Sequence, residues 1–253
     1  MLIPVSIVSL VFCVLGIRLL RTALQVSGAE GWLAGFFLCT AAAMPLRTVL
    51  SQDHVVVGEL ELMLILLSHG LMTAALCAHT LFVARVFRPD VGWAMATTAC
   101  IVSIQILAPL ALVFFGGHRD EQHPVVLVVG ALRALPFCWG FLESVRYYGQ
   151  MKKRSELGLA DVVVTNRFAL FAIWNGALFV LPVVLVGLRT WVKVGTESGR
   201  MLGEGVTAQM ILSITRFALL ALTGSAVGSL WLSFFPSRSW VERLQSRAEA
   251  AAR

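Results

Sequence analysis

Two arginines, a histidine and an asparagine sit deep inside stretches that are otherwise apolar: Arg133, Arg216, His69 and Asn175. Counted at the helical rise, His69 lies about 15 Å from one end of its stretch, and Arg133 and Arg216 lie about 14 Å from the matching ends of theirs. Asn175, counted from the same side, comes to about 20 Å or a little less. Four polar groups from four segments therefore share roughly one layer. Strongly polar residues are costly in an apolar span and normally face the interior of a bundle.

The chemistry of such a layer is that of an anion site. Arginine does not deprotonate to escape burial, and its planar fork matches carboxylate or phosphate oxygens. Histidine adds a group that changes charge near neutral pH. Glu59 and Glu61, at the mouth of the stretch that carries His69, could reach down to one of the arginines. If Glu61 or its neighbour reaches down to an arginine, the layer is a structural ion-pair network. If not, it implies an anionic ligand or a water-filled cavity, because an unpaired desolvated charge is the costlier state. Pro136, three residues past Arg133, frees a backbone carbonyl near the layer, and Pro182 does the same in the sixth stretch.

A second polar group lies nearer the opposite side: His79, Glu143, Asn166 and Arg167. Glu143 and Arg146 are three apart and can pair on one helix face. With His69, these residues outline a proton or signal path, against the plainer reading of satisfied polar groups near an interface.

Several chemistries are argued against. A retinal Schiff base needs a lysine within a span, and Lys152, Lys153 and Lys193 all fall in joints. Bis-histidine haem needs ligands on facing helices, whereas His69 and His79 share one stretch. The joint residues Asp53, His54, His118, Asp120, Glu121 and His123 follow no strong metal-ligand spacing. No P-loop, G-x-S-x-G or H-E-x-x-H supports an enzyme. The expectation is a non-enzyme with no cofactor. The five cysteines fall one per stretch across the first five, which is packing usage and not a disulfide framework.

The elements that must position these groups are legible from hydropathy. Seven apolar stretches of about 20 to 27 residues, near 2–20, 31–50, 59–86, 92–115, 124–148, 162–188 and 207–235, match the length needed to cross a hydrocarbon core. The mean hydropathy of +0.84 agrees. The expected fold is an all-α seven-helix transmembrane bundle over 1–235, with an amphipathic tail over 236–253.

Basic residues set its orientation. One side holds Arg18, Arg21, Arg85, Arg88, Arg146, Lys152, Lys153, Arg154, Arg167, Arg238, Arg243, Arg247 and Arg253. The other holds only Arg47, Arg119, Arg189, Lys193 and Arg200. Thirteen against five predicts the N-terminus outside and the C-terminus cytoplasmic. Basic residues at helix ends also account for the net charge of +6 without nucleic acid.

In the tail, Ser239 and Glu242 form a capping-box pattern. Trp240, Val241, Leu244 and Ala248 share one face, as in a helix lying on an anionic leaflet. Gly31 with Gly35, and Gly224 with Gly228, have the small-xxx-small spacing that lets helices approach closely.

The segment ESVRYYGQMKKRSELGLADVVVTNRF, from Glu143 to Phe168, resembles a group of uncharacterised seven-helix membrane proteins of proteobacteria. So do IRLLRTALQ near the end of the first stretch and LFVARVFRP at the end of the third. The resemblance implies the seven-helix, N-out layout and the bacterial inner membrane, and brings no activity with it. Read from its own residues, the segment is a basic and aromatic membrane-surface belt, with Gly158 ending one helix and Asp161 capping the next.

The function expected is a receptor-like sensor with an outward-facing pocket for a small anion, formed by Arg133, Arg216, His69, Asn175 and Glu61. Its signal would run through His79, Glu143 and Arg167 toward a cytoplasmic or membrane partner protein. A channel or transporter for small anions or protons is the alternative, followed by an accessory membrane subunit.

Overall fold

A computed structural model of the chain describes residues 2–26, 28–50, 59–115, 123–197, 221–222, 224–234 and 237–252. Among the described residues every regular element is an α-helix. The helices are α1 (Leu2–Val26), α2 (Glu30–Leu50), α3 (Glu59–Phe87), α4 (Gly92–Phe114), α5 (Pro124–Leu132), α6 (Leu135–Glu156) and α7 (Val162–Glu197), with a C-terminal helix at Arg238–Ala252. Among the described residues, six segments are long and apolar enough to cross a membrane, α5 and α6 together counting as one. That is the pattern of a multi-pass membrane protein. The large side chains left exposed, among them Leu10, Leu24, Leu66, Leu107 and Phe114, suit a hydrocarbon solvent.

The expected seventh span, 207–235, lies mostly outside the described residues; 221–222 and 224–234 are helical. Two other expectations change. The stretch 124–148 is not one helix but two, α5 and α6, parted at Arg133 and Ala134. The sixth stretch, α7, runs on to Glu197, past the apolar window that ends at Gly187.

Contacts divide the chain into two compact units, Met1–Pro136 and Phe137–Arg253. In the first, α1 to α5 pack on one another in chain order. Phe12, Phe36 and Phe37 form an edge-to-face cluster between α1 and α2, and the His79 ring of α3 stands 5.4 Å from that of Phe36. Among these helix contacts, α1 and α2 approach closely at Gly16. A Cβ there would lie 2.7 Å from Leu38 Cγ and 3.2 Å from the Leu38 backbone nitrogen. The side chain can turn away, but the backbone cannot. Gly16→Ala is expected to cost about 1 kcal/mol, the low end for overpacking, read as a lower unfolding midpoint in a denaturing-detergent titration.

Of the glycines singled out by spacing, Gly31 faces Ala23 of α1 and Gly35 faces Ala78 of α3. Gly224 and Gly228 meet no described atom within 4 Å, so their spacing marks no contact among the described residues.

In the second unit, α6 and α7 pack through Phe137 with Trp174, Phe141 with Gly176, Tyr147 with Phe168, and Thr165 with the Met151 carbonyl. Tyr147 therefore belongs to helix packing as well as to the basic segment. The turn between the two helices is built as its residues suggest. Gly158 takes a left-handed φ of 69° and Leu159 N–H bonds back to the Arg154 carbonyl. The Asp161 carboxylate then accepts from Val163 N–H at 2.7 Å. The C-terminal helix contacts α7, and its cap is Ser237, not Ser239. The Ser237 hydroxyl accepts from Trp240 N–H, three residues on, so the helix starts earlier than the S-x-x-E pattern indicates.

Inside the first unit, proline organises the polar contacts. Proline lacks an N–H, so the carbonyl four residues earlier loses its helical partner. In an apolar medium that carbonyl must find another donor. Pro45 leaves Ala41 unbonded in α2, and the Ser9 hydroxyl of α1 donates to it at 2.6 Å. Pro109 leaves Gln105 unbonded in α4, and the Thr73 hydroxyl of α3 donates to it at 3.4 Å. Pro136 leaves Leu132, and the Gln105 side chain donates to that carbonyl at 2.8 Å. By contrast, the buried hydroxyls of Thr40, Thr80 and Thr98 bond the i−4 carbonyl of their own helix.

Candidate functional site

The third of these contacts lies next to the arginine that sequence reasoning put at the centre of the polar layer. Arg133 sits on the two-residue joint between α5 and α6. Its own N–H still reaches the Val129 carbonyl, but Ala134 N–H turns to Ala131, a tighter i−3 bond. The helix breaks here because Pro136 removes the next rung.

From this joint the Arg133 guanidinium donates from Nη2 to His69 Nδ1 at 2.7 Å. Guanidinium has no acceptor, so the ring must supply a lone pair at Nδ1 and carry its proton on Nε2. His69 and Thr73 are four apart on α3 and share a face. A polar circuit results: His69 to Arg133, Leu132 to Gln105, and Gln105 back to Thr73. Gln105 is 1 % exposed and serves the circuit twice, through its amide and through its own carbonyl. Ala108, Leu112 and Val129 form an apolar cluster toward the Phe114 and Pro124 ends of α4 and α5, with Val125 and Val126 against it.

The charges that act on this pair are positive. Arg47, in the last turn of α2, acts electrostatically on both Arg133 and His69. Glu61 is exposed, and the hydrogen-bond partner of Arg133 among the described residues is the imidazole rather than a carboxylate. The ion-pair network with Glu61 that the sequence allowed is therefore not what holds Arg133.

The remaining expected site residues distribute differently. Arg216 lies outside the described residues. Asn175 belongs to the second unit, fully buried, with its Nδ2 donating to the Phe171 carbonyl one turn back at 2.9 Å. Its Oδ1 has no hydrogen-bond partner among the described residues. Of the path residues, His79 is fully buried in the first unit against Phe36. Glu143 and Arg167 belong to the second, where Glu143 is buried and Arg167 exposed. The structure thus brings together His69 and Arg133, and adds Arg47, Thr73 and Gln105. Among the described residues no group of three or more His, Cys, Asp or Glu side chains is placed to hold a metal ion.

Three comparisons, with protein-family models, with curated proteins and with solved structures, gave no match to this chain.

Proposed function

We propose that the chain is a receptor-like sensor of the bacterial inner membrane, a seven-helix bundle with its N-terminus outside and its C-terminus in the cytoplasm. It binds a small anion in the outer half of the first unit. The observation that carries this reading is Arg133: a half-buried guanidinium whose partner is an imidazole, with a second arginine in range and no carboxylate on it among the described residues. An anion on Arg133, within the field of Arg47, supplies the negative charge that Arg133 lacks among the described residues, and the arginine fork favours a carboxylate, sulfonate or phosphate group.

The location also supports a sensor. Arg133 sits where the backbone already leaves regular helical bonding, so a ligand that draws on its guanidinium acts on a natural joint between α5 and α6. The signal then passes along α6 to the basic segment from Arg146 to Arg167, the face offered to a cytoplasmic or membrane partner protein.

The test is a thermal-stability screen of the detergent-purified chain against sulfate, phosphate and small carboxylates. A ligand present at a hundred times its dissociation constant stabilises by about 2.7 kcal/mol. The gain should vanish in Arg133→Ala and fall in Arg47→Ala, with the apo midpoints of both variants measured alongside. Wild-type protein that responds to none of these anions would remove the sensor reading and make Arg133 part of the scaffold.

A further inference from the structure

We infer that anion binding at this site takes up a proton on His69; the inference rests on the anion reading above and concerns how that site is regulated. It follows from the 2.7 Å contact between Arg133 Nη2 and His69 Nδ1. That contact exists only while Nδ1 keeps its lone pair. A protonated imidazole is a donor at both nitrogens, and two donors at that distance repel.

The charged groups that act on the ring are Arg133, from the joint after α5, and Arg47, from α2. The groups that complete the circuit, Thr73 of α3 and Gln105 of α4, are neutral. A positive charge on the ring would stand beside the Arg133 guanidinium, with the Arg47 charge also acting on it. An anion changes this in two ways. It draws the Arg133 fork toward itself, which releases Nδ1, and it places a negative charge within reach of the imidazolium. The Arg133 fork and the doubly protonated ring, neighbours at Nδ1, then share one set of oxygens. The proton comes from solvent and returns there when the anion leaves. No bond other than N–H is made or broken.

Linkage fixes the sign. If the bound state holds one more proton than the free state, affinity rises as pH falls, by up to about tenfold per pH unit. Inorganic sulfate is a suitable probe, because it stays fully ionised from about pH 5 to 8 and the dependence then belongs to the protein. The experiment measures the sulfate dissociation constant of the full chain in detergent across that range. In parallel, proton uptake is followed on adding sulfate to weakly buffered protein. The expected result is tightening toward low pH, with up to one proton taken up per site. In His69→Gln the amide still offers Arg133 an acceptor but cannot take the proton, so sulfate affinity should no longer change with pH and the uptake should disappear.

The outcomes separate the two claims. Saturable sulfate binding with the same dissociation constant at every pH, or a pH dependence that persists in His69→Gln, overturns the proton coupling and leaves the anion site standing. No saturable binding at any pH, with phosphate and acetate equally silent, overturns both.

Discussion

Trp174→Ala is expected to destabilise the protein by about 3 kcal/mol, the low end of the range for emptying a buried aromatic site. Trp174 is fully buried on α7, edge-on to Phe171 at 4.8 Å and to Phe137 of α6 at 6.4 Å. In a water-soluble protein the loss has two parts, the transfer of the ring out of water and the cavity left behind. Between helices in lipid the first part shrinks, because the inserted but unpacked helix already has its apolar surface in hydrocarbon. The second part persists: packing contacts and aromatic pairs are lost, and neighbouring helices relax only partly. Unfolding in mixed micelles titrated with denaturing detergent reads the change. Trp174→Phe, which keeps a ring between Phe137 and Phe171, should recover most of it. A Trp174→Ala midpoint equal to wild type would show that α6 and α7 are held by something other than this aromatic contact.

The same physics explains what the sequence made legible. Length and hydropathy locate four of the six segments long and apolar enough to cross a membrane to within a residue or so, because every backbone group in hydrocarbon must be satisfied inside its own helix. They miss the C-terminal ends of the other two, at Gln25 and Glu156. The pair His69 and Arg133 was also readable, since depth alone puts both in one layer. Pro136 announced a freed carbonyl, and the structure supplies it at Leu132.

Facing was not legible. Gln105 lies nine residues from Phe114, about 14 Å deep by the helical rise, yet a lone glutamine among apolar residues gives no sign of which neighbour it meets. The signal that would have found it was proline itself. Each of Pro45, Pro109 and Pro136 frees an i−4 carbonyl, and a nearby span then needs a hydroxyl or amide at the matching depth, which Ser9, Thr73 and Gln105 provide. Arg47 was read as a residue of an outer joint because it stands three from the end of α2. An arginine so close to a helix end can sit in the joint or reach toward a buried partner, and composition does not choose.

That proline logic has a sharp consequence in the site. Gln105→Leu keeps the side chain's approximate volume but removes the donor from Leu132, which leaves a carbonyl without a partner in a dry interior. The expected cost is about 1–3 kcal/mol, the desolvation penalty of one unsatisfied group. Pro136→Ala restores the missing N–H, so α5 and α6 can close their own rung across the joint and Leu132 no longer needs Gln105. In the Pro136→Ala background, Gln105→Leu should therefore cost close to nothing at Leu132. The double-mutant cycle should return a coupling of about 1–2 kcal/mol, within the range for residues sharing one network. Equal costs in both backgrounds would mean that Gln105 is held for packing or for its contact with Thr73, not for the carbonyl. The cycle has a second readout. Closing the joint in Pro136→Ala moves Arg133 onto a regular helix and should weaken its contact with His69, so sulfate binding should fall even where stability rises. Opposite signs for stability and binding in one variant would mark the break at Arg133 as a feature kept for the ligand and not for the fold.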